Sequence, residues 1–313
     1  MELRKLGSTG LKVSVVGIGC NNFGGRCDEN LTKEIVYSAL DSGINFFDTA
    51  DVYGHQGLSE EYLGKAVAGK RKDLVIATKF GMQMDKDGRK KGGSRRYIIQ
   101  AVEDSLKRLH TDYIDLYQQH FPDDETQIEE TLCALDDLVH QGKVRYLGCS
   151  NFSGWQISDA DWTARNRGLN RFITAQNLYS LIDRSIEKEV IPACQQYGLG
   201  LLPYFPLASG LLTGKYIRGS EPPKGTRLAS WGERAKSALS DNNFDIVEKL
   251  TSFAAKKDHS LLDLAMSWLA SLPQISSVIA GATSKEQVQQ NAAAASWRLT
   301  DEDMNEVHII SSP

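Results

Sequence analysis

The feature that most constrains the fold is an alternation kept up over nearly the whole chain, in which short apolar runs and helical segments take turns from Val15 onward. The runs end near Gly19, Asp48, Lys79, His120, Ser150, Asn177, Phe205 and Ala280, and helical segments open near Leu31, Ser59, Ser94, Thr126, Trp155, Ser185, Ser260 and Ser284. Short apolar runs bounded by turn signals read as strands buried on both faces. Strands that alternate with helices imply a parallel sheet with right-handed crossovers. Eight such units can close on themselves, so the expected fold is α/β, a (β/α)8 TIM barrel. Polar caps agree with this count: Ser59 precedes Glu60, Ser94 precedes Tyr97-Ile-Ile, and Ser284 precedes Lys285-Glu-Gln.

Two stretches break the rhythm. Residues 2–15 hold two short extended pieces joined by Gly7-Ser-Thr-Gly10, which predicts a hairpin outside the main sheet. Over fifty residues separate the seventh strand, ending near Phe205, from the helix opening at Ser260. A loop of that length in a compact domain is usually functional. It is expected to fold over the barrel mouth and to contain a helical stretch near Phe244 to Lys257. Met82–Gly93, rich in Lys, Arg and Gly, reads as a solvated lid edge. No repeat or linker divides the chain, so one domain over residues 1–313 is expected.

Composition narrows the function classes. The chain has 313 residues and a formal net charge of −4, and no basic stripe carries interleaved aromatics, which argues against nucleic acid. Neither a signal-like N-terminus nor a run of eighteen apolar residues occurs, so a cytoplasmic protein without membrane contact is expected. The five cysteines are scattered, without CxxC or a Cys/His ligand spacing, and read as buried free thiols rather than a disulfide framework or a zinc site. No sequence feature specifies an oligomeric state.

The chemistry gathers at the ends of three successive predicted strands. Asn45-Phe-Phe-Asp48 leads into a turn carrying Tyr53, Leu74-Val-Ile-Ala-Thr brings up Lys79, and Ile114-Asp-Leu-Tyr-Gln-Gln brings up His120. Lys79 at the inner rim of a barrel requires an anion, and Asp48 is the natural one. The pair is expected to lower the Tyr53 pKa, so that this phenol exchanges a proton near neutrality. His120 would orient the same substrate oxygen, as a neutral donor or as a cation. Singly, each residue has a structural explanation: a cap, a packed ring, an outward-reaching lysine, a satisfied imidazole. Together at adjacent strand ends they form a site. One His, one Asp and an intervening Lys make a poor metal shell. Gly17-Ile-Gly19-Cys-Asn-Asn-Phe-Gly24 fails as a dinucleotide fingerprint, because its third glycine comes too late and no helix opens inside it.

A proton donor without a covalent nucleophile needs a cofactor. Ser150, Asn151 and Gln176 suit a carboxamide, and Tyr204 can lie flat against a nicotinamide. Leu207 to Lys215, including Ser209 and Gly210, offers amides and a cation for a pyrophosphate, and Gly281 to Gln287 opens a helix that can receive a phosphate.

These residues resemble the aldo-keto reductases. Asp48 and Tyr53 in Asp-Thr-Ala-Asp-Val-Tyr-Gly, Lys79 in Thr-Lys-Phe-Gly and His120 in Tyr-Gln-Gln-His look like that family's catalytic tetrad, and the resemblance runs from about Leu3 to Leu299. It implies that the N-terminal hairpin plugs the barrel. It also implies reduction of a small aldehyde or ketone by hydride transfer from NADPH, with Tyr53 as proton donor. A cofactor groove of Gly19, Asn22, Asp48, Ser150, Asn151, Gln176, Tyr204, Leu207, Ser209, Gly210, Lys215, Arg227, Gly281, Thr283, Gln287 and Asn291 follows. Phe23, Phe121 and Trp231, with Tyr53 and His120, are the candidates for an apolar substrate mouth. Where many relatives carry Lys and Arg for the 2′-phosphate, this chain has Gly281 and Gln287. NADP(H) is favoured, and NAD(H) competes unless Lys285 or Arg227 compensates. The chain most resembles long-lid members akin to potassium-channel β subunits. A cofactor-binding regulatory subunit and an NAD-dependent sugar or alcohol dehydrogenase are therefore the alternatives.

Overall fold

A computed structural model describes residues 1–312. β1 (Leu3–Lys5) and β2 (Lys12–Ser14) form an antiparallel hairpin. β3 (Val16–Gly19), β4 (Phe46–Asp48), β5 (Val75–Phe80), β6 (Ile114–Gln119), β7 (Val144–Ser150), β8 (Phe172–Gln176), β9 (Gly200–Leu201) and β10 (Val278–Gly281) make one parallel sheet, in which β10 lies beside β3 and the other strands follow in chain order. Parallel bridges from Leu201 to Ile275 and from Tyr204 to Ile279 bring the two edges together. The sheet curls into the expected (β/α)8 barrel.

Between the strands run α1 (Glu29–Asp41), α2 (Tyr53–Ala66), α3 (Arg95–Arg108), α4 (Ile128–His140), α5 (Gly154–Arg167) and α6 (Val190–Tyr197). Two apolar cores result. The larger fills the space between strands and helices. The smaller fills the barrel interior, where Leu6 and Val13 of the hairpin join Phe46, Ala77, Leu116 and Ile279. The hairpin therefore closes one end of the barrel. Gly7 makes the close approach possible: its φ is +58°, and a Cβ there would lie 2.2 Å from the Ile173 carbonyl oxygen.

At the other end, register aligns the carboxyl termini of the strands. Gly19 pairs with Asp48, Lys79 with Gln118, and Ser150 with Gln176. The long insertion folds here as a 3-10 turn at Ala208–Thr213, then α7 (Arg227–Trp231), α8 (Ala235–Ala238) and α9 (Asp241–Ala255). α10 (Leu261–Ser271) and α11 (Lys285–Ala294) complete the alternation, and α12 (Asp301–Ser311) packs on α9.

Three details depart from expectation. Regular pairing in the seventh barrel strand stops at Leu201 instead of Phe205, because Pro203 lacks the N–H that would continue the ladder, and Tyr204 pairs only through isolated bridges. The segment opening at Ser185 is a 3-10 turn, and the helix starts at Val190. α12 lies outside the eightfold alternation, although Thr300 and Asp303 form a capping box at its start. Among the described residues all five cysteines are free, and no helix is long and apolar enough to cross a membrane.

Candidate active site

Asp48 ends β4 and is 2 % exposed. A buried carboxylate needs several donors, and Asp48 has three. Lys79 Nζ donates to Oδ2 at 2.6 Å, and the side-chain amides of Gln118 and Gln176 each donate to Oδ1 at 2.9 Å. Lys79, wholly buried, also donates to the Thr49 carbonyl at 3.0 Å. Burial works most strongly against its charge, yet Asp48 and Tyr53 together hold its pKa above the ordinary lysine value.

Tyr53 follows in a turn tied down on both sides. The Thr49 and Ser59 hydroxyls bond at 2.8 Å, and Ser59 also donates to the Cys20 carbonyl at 2.8 Å. Gly54, at φ +64°, lets the chain pass where a Cβ would lie 2.4 Å from the Phe23 carbonyl oxygen. The Tyr53 ring then stands with Lys79 Nζ 5.0 Å from its centroid and the His120 ring edge-on at 5.7 Å.

The proton balance differs from the sequence expectation. Burial raises the Tyr53 pKa above the usual phenol value and outweighs the opposing pull of Lys79. The ammonium is already shared with Asp48, which itself acts to raise the phenol. His120 is pushed down to about 2, first by burial and then by Lys79, so it is neutral. Its Nδ1 is buried without a partner, which leaves Nε2 as the ring nitrogen available to the cleft.

The cleft over these residues has a volume of about 840 Å³. Gly19, Asn22, Asp48, Tyr53, His120, Ser150, Asn151, Gln176 and Tyr204 line it from the barrel rim. Leu207, Ser209, Gly210, Lys215 and Arg227 line it from the long insertion, and Gly281, Thr283, Gln287 and Asn291 from the β10–α11 side. The rim groups are already bonded to one another. Tyr204 Oη donates to Asn151 Oδ1 at 2.8 Å, Asn151 Nδ2 donates to the His120 carbonyl at 2.9 Å, and Ser150 Oγ donates to the Gln176 carbonyl at 2.9 Å. The insertion is latched across the mouth, because Arg227 donates to Asn22 Oδ1 at 3.2 Å and Arg26 donates to the Gly225 carbonyl.

A phosphate-bearing dinucleotide fits this lining. Arg26, Lys215, Lys224 and Arg227 all face the cleft, and the one carboxylate there, Asp48, is paired to Lys79. Gly210 has φ +95°, a conformation that side chains rarely adopt, and Lys215 Nζ lies over it, 2.6 Å from where a Cβ would stand. The start of α11 is less open than its sequence suggests. Ser284 caps the Gln287 N–H, and Gln287 Oε1 accepts from the Thr283 N–H at 2.8 Å. Gln287, Gln290 and Asn291 present the side of the helix. Lys285 does not line the cleft.

Two substrate-mouth expectations are corrected. Phe23 is fully buried beneath the Gly54 turn and belongs to the core between strands and helices. Trp231 is 37 % exposed and lies outside the cleft lining, where α7 gives way at Gly232. Phe121 does line the cleft, stacked on His120 with centroids 5.3 Å apart. Several contributors escaped the sequence reading, among them Gln118, Met82, Arg26 and Lys224. Gln118 was detectable: side chains two apart on a strand share a face, so a residue two before His120 points the same way.

The sequence profile of the Aldo/keto reductase family matches residues 15–312. A probable voltage-gated potassium channel subunit beta of Oryza sativa subsp. japonica is 39% identical over 303 residues, covering 94% of this chain and 91% of its own. Versiconal hemiacetal acetate reductase of Aspergillus parasiticus is 34% identical over 331 residues, covering 97% and 95% respectively. L-glyceraldehyde 3-phosphate reductase of Escherichia coli is 32% identical over 305 residues, covering 94% and 87%. The chain belongs to the aldo/keto reductase family.

Proposed function

We propose that the protein reduces an aldehyde or ketone to an alcohol, with Tyr53 giving the proton to the carbonyl oxygen. The observation that carries this reading is the buried Lys79–Asp48 pair beside Tyr53, next to a neutral His120. A reduced nicotinamide dinucleotide, held by Asn22, Gln176, Gly210, Lys215, Arg227 and Asn291, would supply the hydride. Tyr53, with its pKa raised by burial, stays protonated through the working range and so is a loaded donor. When the proton leaves, the Lys79 ammonium meets the phenolate, and Asp48 keeps that ammonium in place. His120 in its Nε2–H tautomer holds the carbonyl oxygen, and the orphaned Nδ1 then carries a lone pair rather than a costlier unpaired donor.

Arg26, Lys215, Lys224 and Arg227 favour a cofactor with an extra phosphate, which argues for NADPH over NADH. Phe121 and Met82 favour an apolar carbonyl substrate. Identity with channel β subunits supports one rival reading, a nucleotide-binding subunit with slow turnover. Consumption of NADPH and NADH by the purified protein, measured across a carbonyl panel, separates the two. Turnover of an activated aromatic aldehyde, faster with NADPH and losing that preference in Arg227→Ala, is expected. Tight nucleotide binding with negligible turnover would favour the subunit.

A further inference from the structure

Behind the Tyr53 turn lies a second buried group of charges that the proposed chemistry does not use. Asp51 is 1 % exposed and Glu60 fully buried, and one guanidinium, Arg108, serves both. Glu60 takes the better share: Arg108 Nε donates to Oε2 at 2.7 Å, and the Thr78 hydroxyl donates to Oε1 at 2.5 Å. Asp51 receives the Tyr97 hydroxyl at Oδ2, 3.1 Å away, and its Oδ1 has no partner. From β6 the fully buried Tyr117 faces the same group, and its hydroxyl is also without a partner. The groups around Asp51 are thus Glu60 from α2, Tyr97 and Arg108 from α3, and Tyr117 from β6.

The state of Asp51 decides where the Tyr97 proton goes. The Tyr97 hydroxyl also lies 3.4 Å from the Met82 carbonyl, and Met82 lines the cleft. One phenolic proton cannot satisfy two acceptors. If the Asp51 carboxyl carries its own proton, it donates to Tyr97 Oη, and Tyr97 donates onward to Met82. If Asp51 is ionised, it takes the Tyr97 proton and the Met82 carbonyl is released. The backbone completes the link, since the Asp51 N–H donates to the Lys79 carbonyl at 3.1 Å, two residues before Tyr53.

We propose that Asp51 is a positioning residue whose neutral carboxyl, acting through Tyr97, pins the Met82 rim of the cleft to the turn that carries Tyr53. Charge supports the same state. Burial first, and Glu60 second, raise its pKa to about 7 against the opposing pull of Tyr97, Arg108 and the Val52 N–H. Tyr53 and Lys79 are raised and His120 is pushed down to about 2, so the tetrad residues that shift do so away from neutrality.

The inference rests on the reductase reading, and its test is built to fail separately. In the wild type, kcat/KM for the carbonyl should fall about tenfold per pH unit above neutrality, through a rise in KM, while cofactor affinity holds. Asp51→Asn, whose amide donates to Tyr97 at every pH, should abolish that limb and stay within about threefold of wild type below neutrality. Tyr97→Phe should show the high-pH behaviour throughout. The inference is overturned if Asp51→Asn keeps the limb while Tyr53→Phe is inactive. Normal turnover by Tyr53→Phe would instead defeat the functional reading. Should the variants fail to fold, carbon-13 NMR of aspartate carboxyls in the wild type decides the protonation: one buried carboxyl titrating near neutrality is expected, and none doing so contradicts it.

Discussion

Asp48 and Asp51 stand three residues apart, both almost inaccessible, yet they meet opposite fates. Asp48 receives an ammonium and two amides. Asp51 receives one phenol from the side chains around it, beside a second carboxylate that has claimed the shared guanidinium. Burial alone therefore says little about charge, because the donors that reach a carboxylate decide whether it remains an anion. Near Tyr53, one carboxylate anchors a cation and the other holds a proton.

The largest effect should come from breaking the first arrangement. Lys79→Met leaves Asp48 buried without its cation, and we expect a loss of about 3–5 kcal/mol in denaturant unfolding, together with loss of turnover. A change below about 1 kcal/mol would mean that Asp48 is not held as a buried anion. For Asp51 the sign is reversed. A carboxyl with a raised pKa binds its proton more tightly when folded, so stability falls as pH rises from the usual carboxylate range through about 7. The wild type should lose up to about 4 kcal/mol over that window, and Asp51→Asn should lose nothing from this source. Parallel pH–stability curves would erase the contrast between the two aspartates. A smaller change sharpens it: Gln118→Leu removes one of three donors from Asp48, which should cost about 1–3 kcal/mol by thermal unfolding and leave cofactor binding intact.

The barrel was legible because each apolar run carries its own boundaries, and the meeting of Asp48, Tyr53, Lys79 and His120 at one rim was legible because strand ends locate side chains. What escaped depended on distant partners. The environment of Asp51 is set by Glu60 on α2 and Arg108 on α3, which no local pattern connects. Phe23 was misplaced because an aromatic after a glycine-bearing strand looks the same whether it faces cleft or core. It faces the core because Gly54 draws the turn over it. The direction of the Tyr53 shift was missed because it is a competition. An adjacent lysine can be read from sequence, whereas the depth of burial that opposes it cannot.

Proton donation by Tyr53 is tested by comparing wild type with Tyr53→Phe in NADPH-dependent reduction of an activated aromatic aldehyde. Nucleotide binding is followed in parallel by fluorescence. Unchanged binding and a loss of turnover on the order of 10²–10⁴-fold are expected. Equal turnover in the two proteins would contradict proton donation by Tyr53.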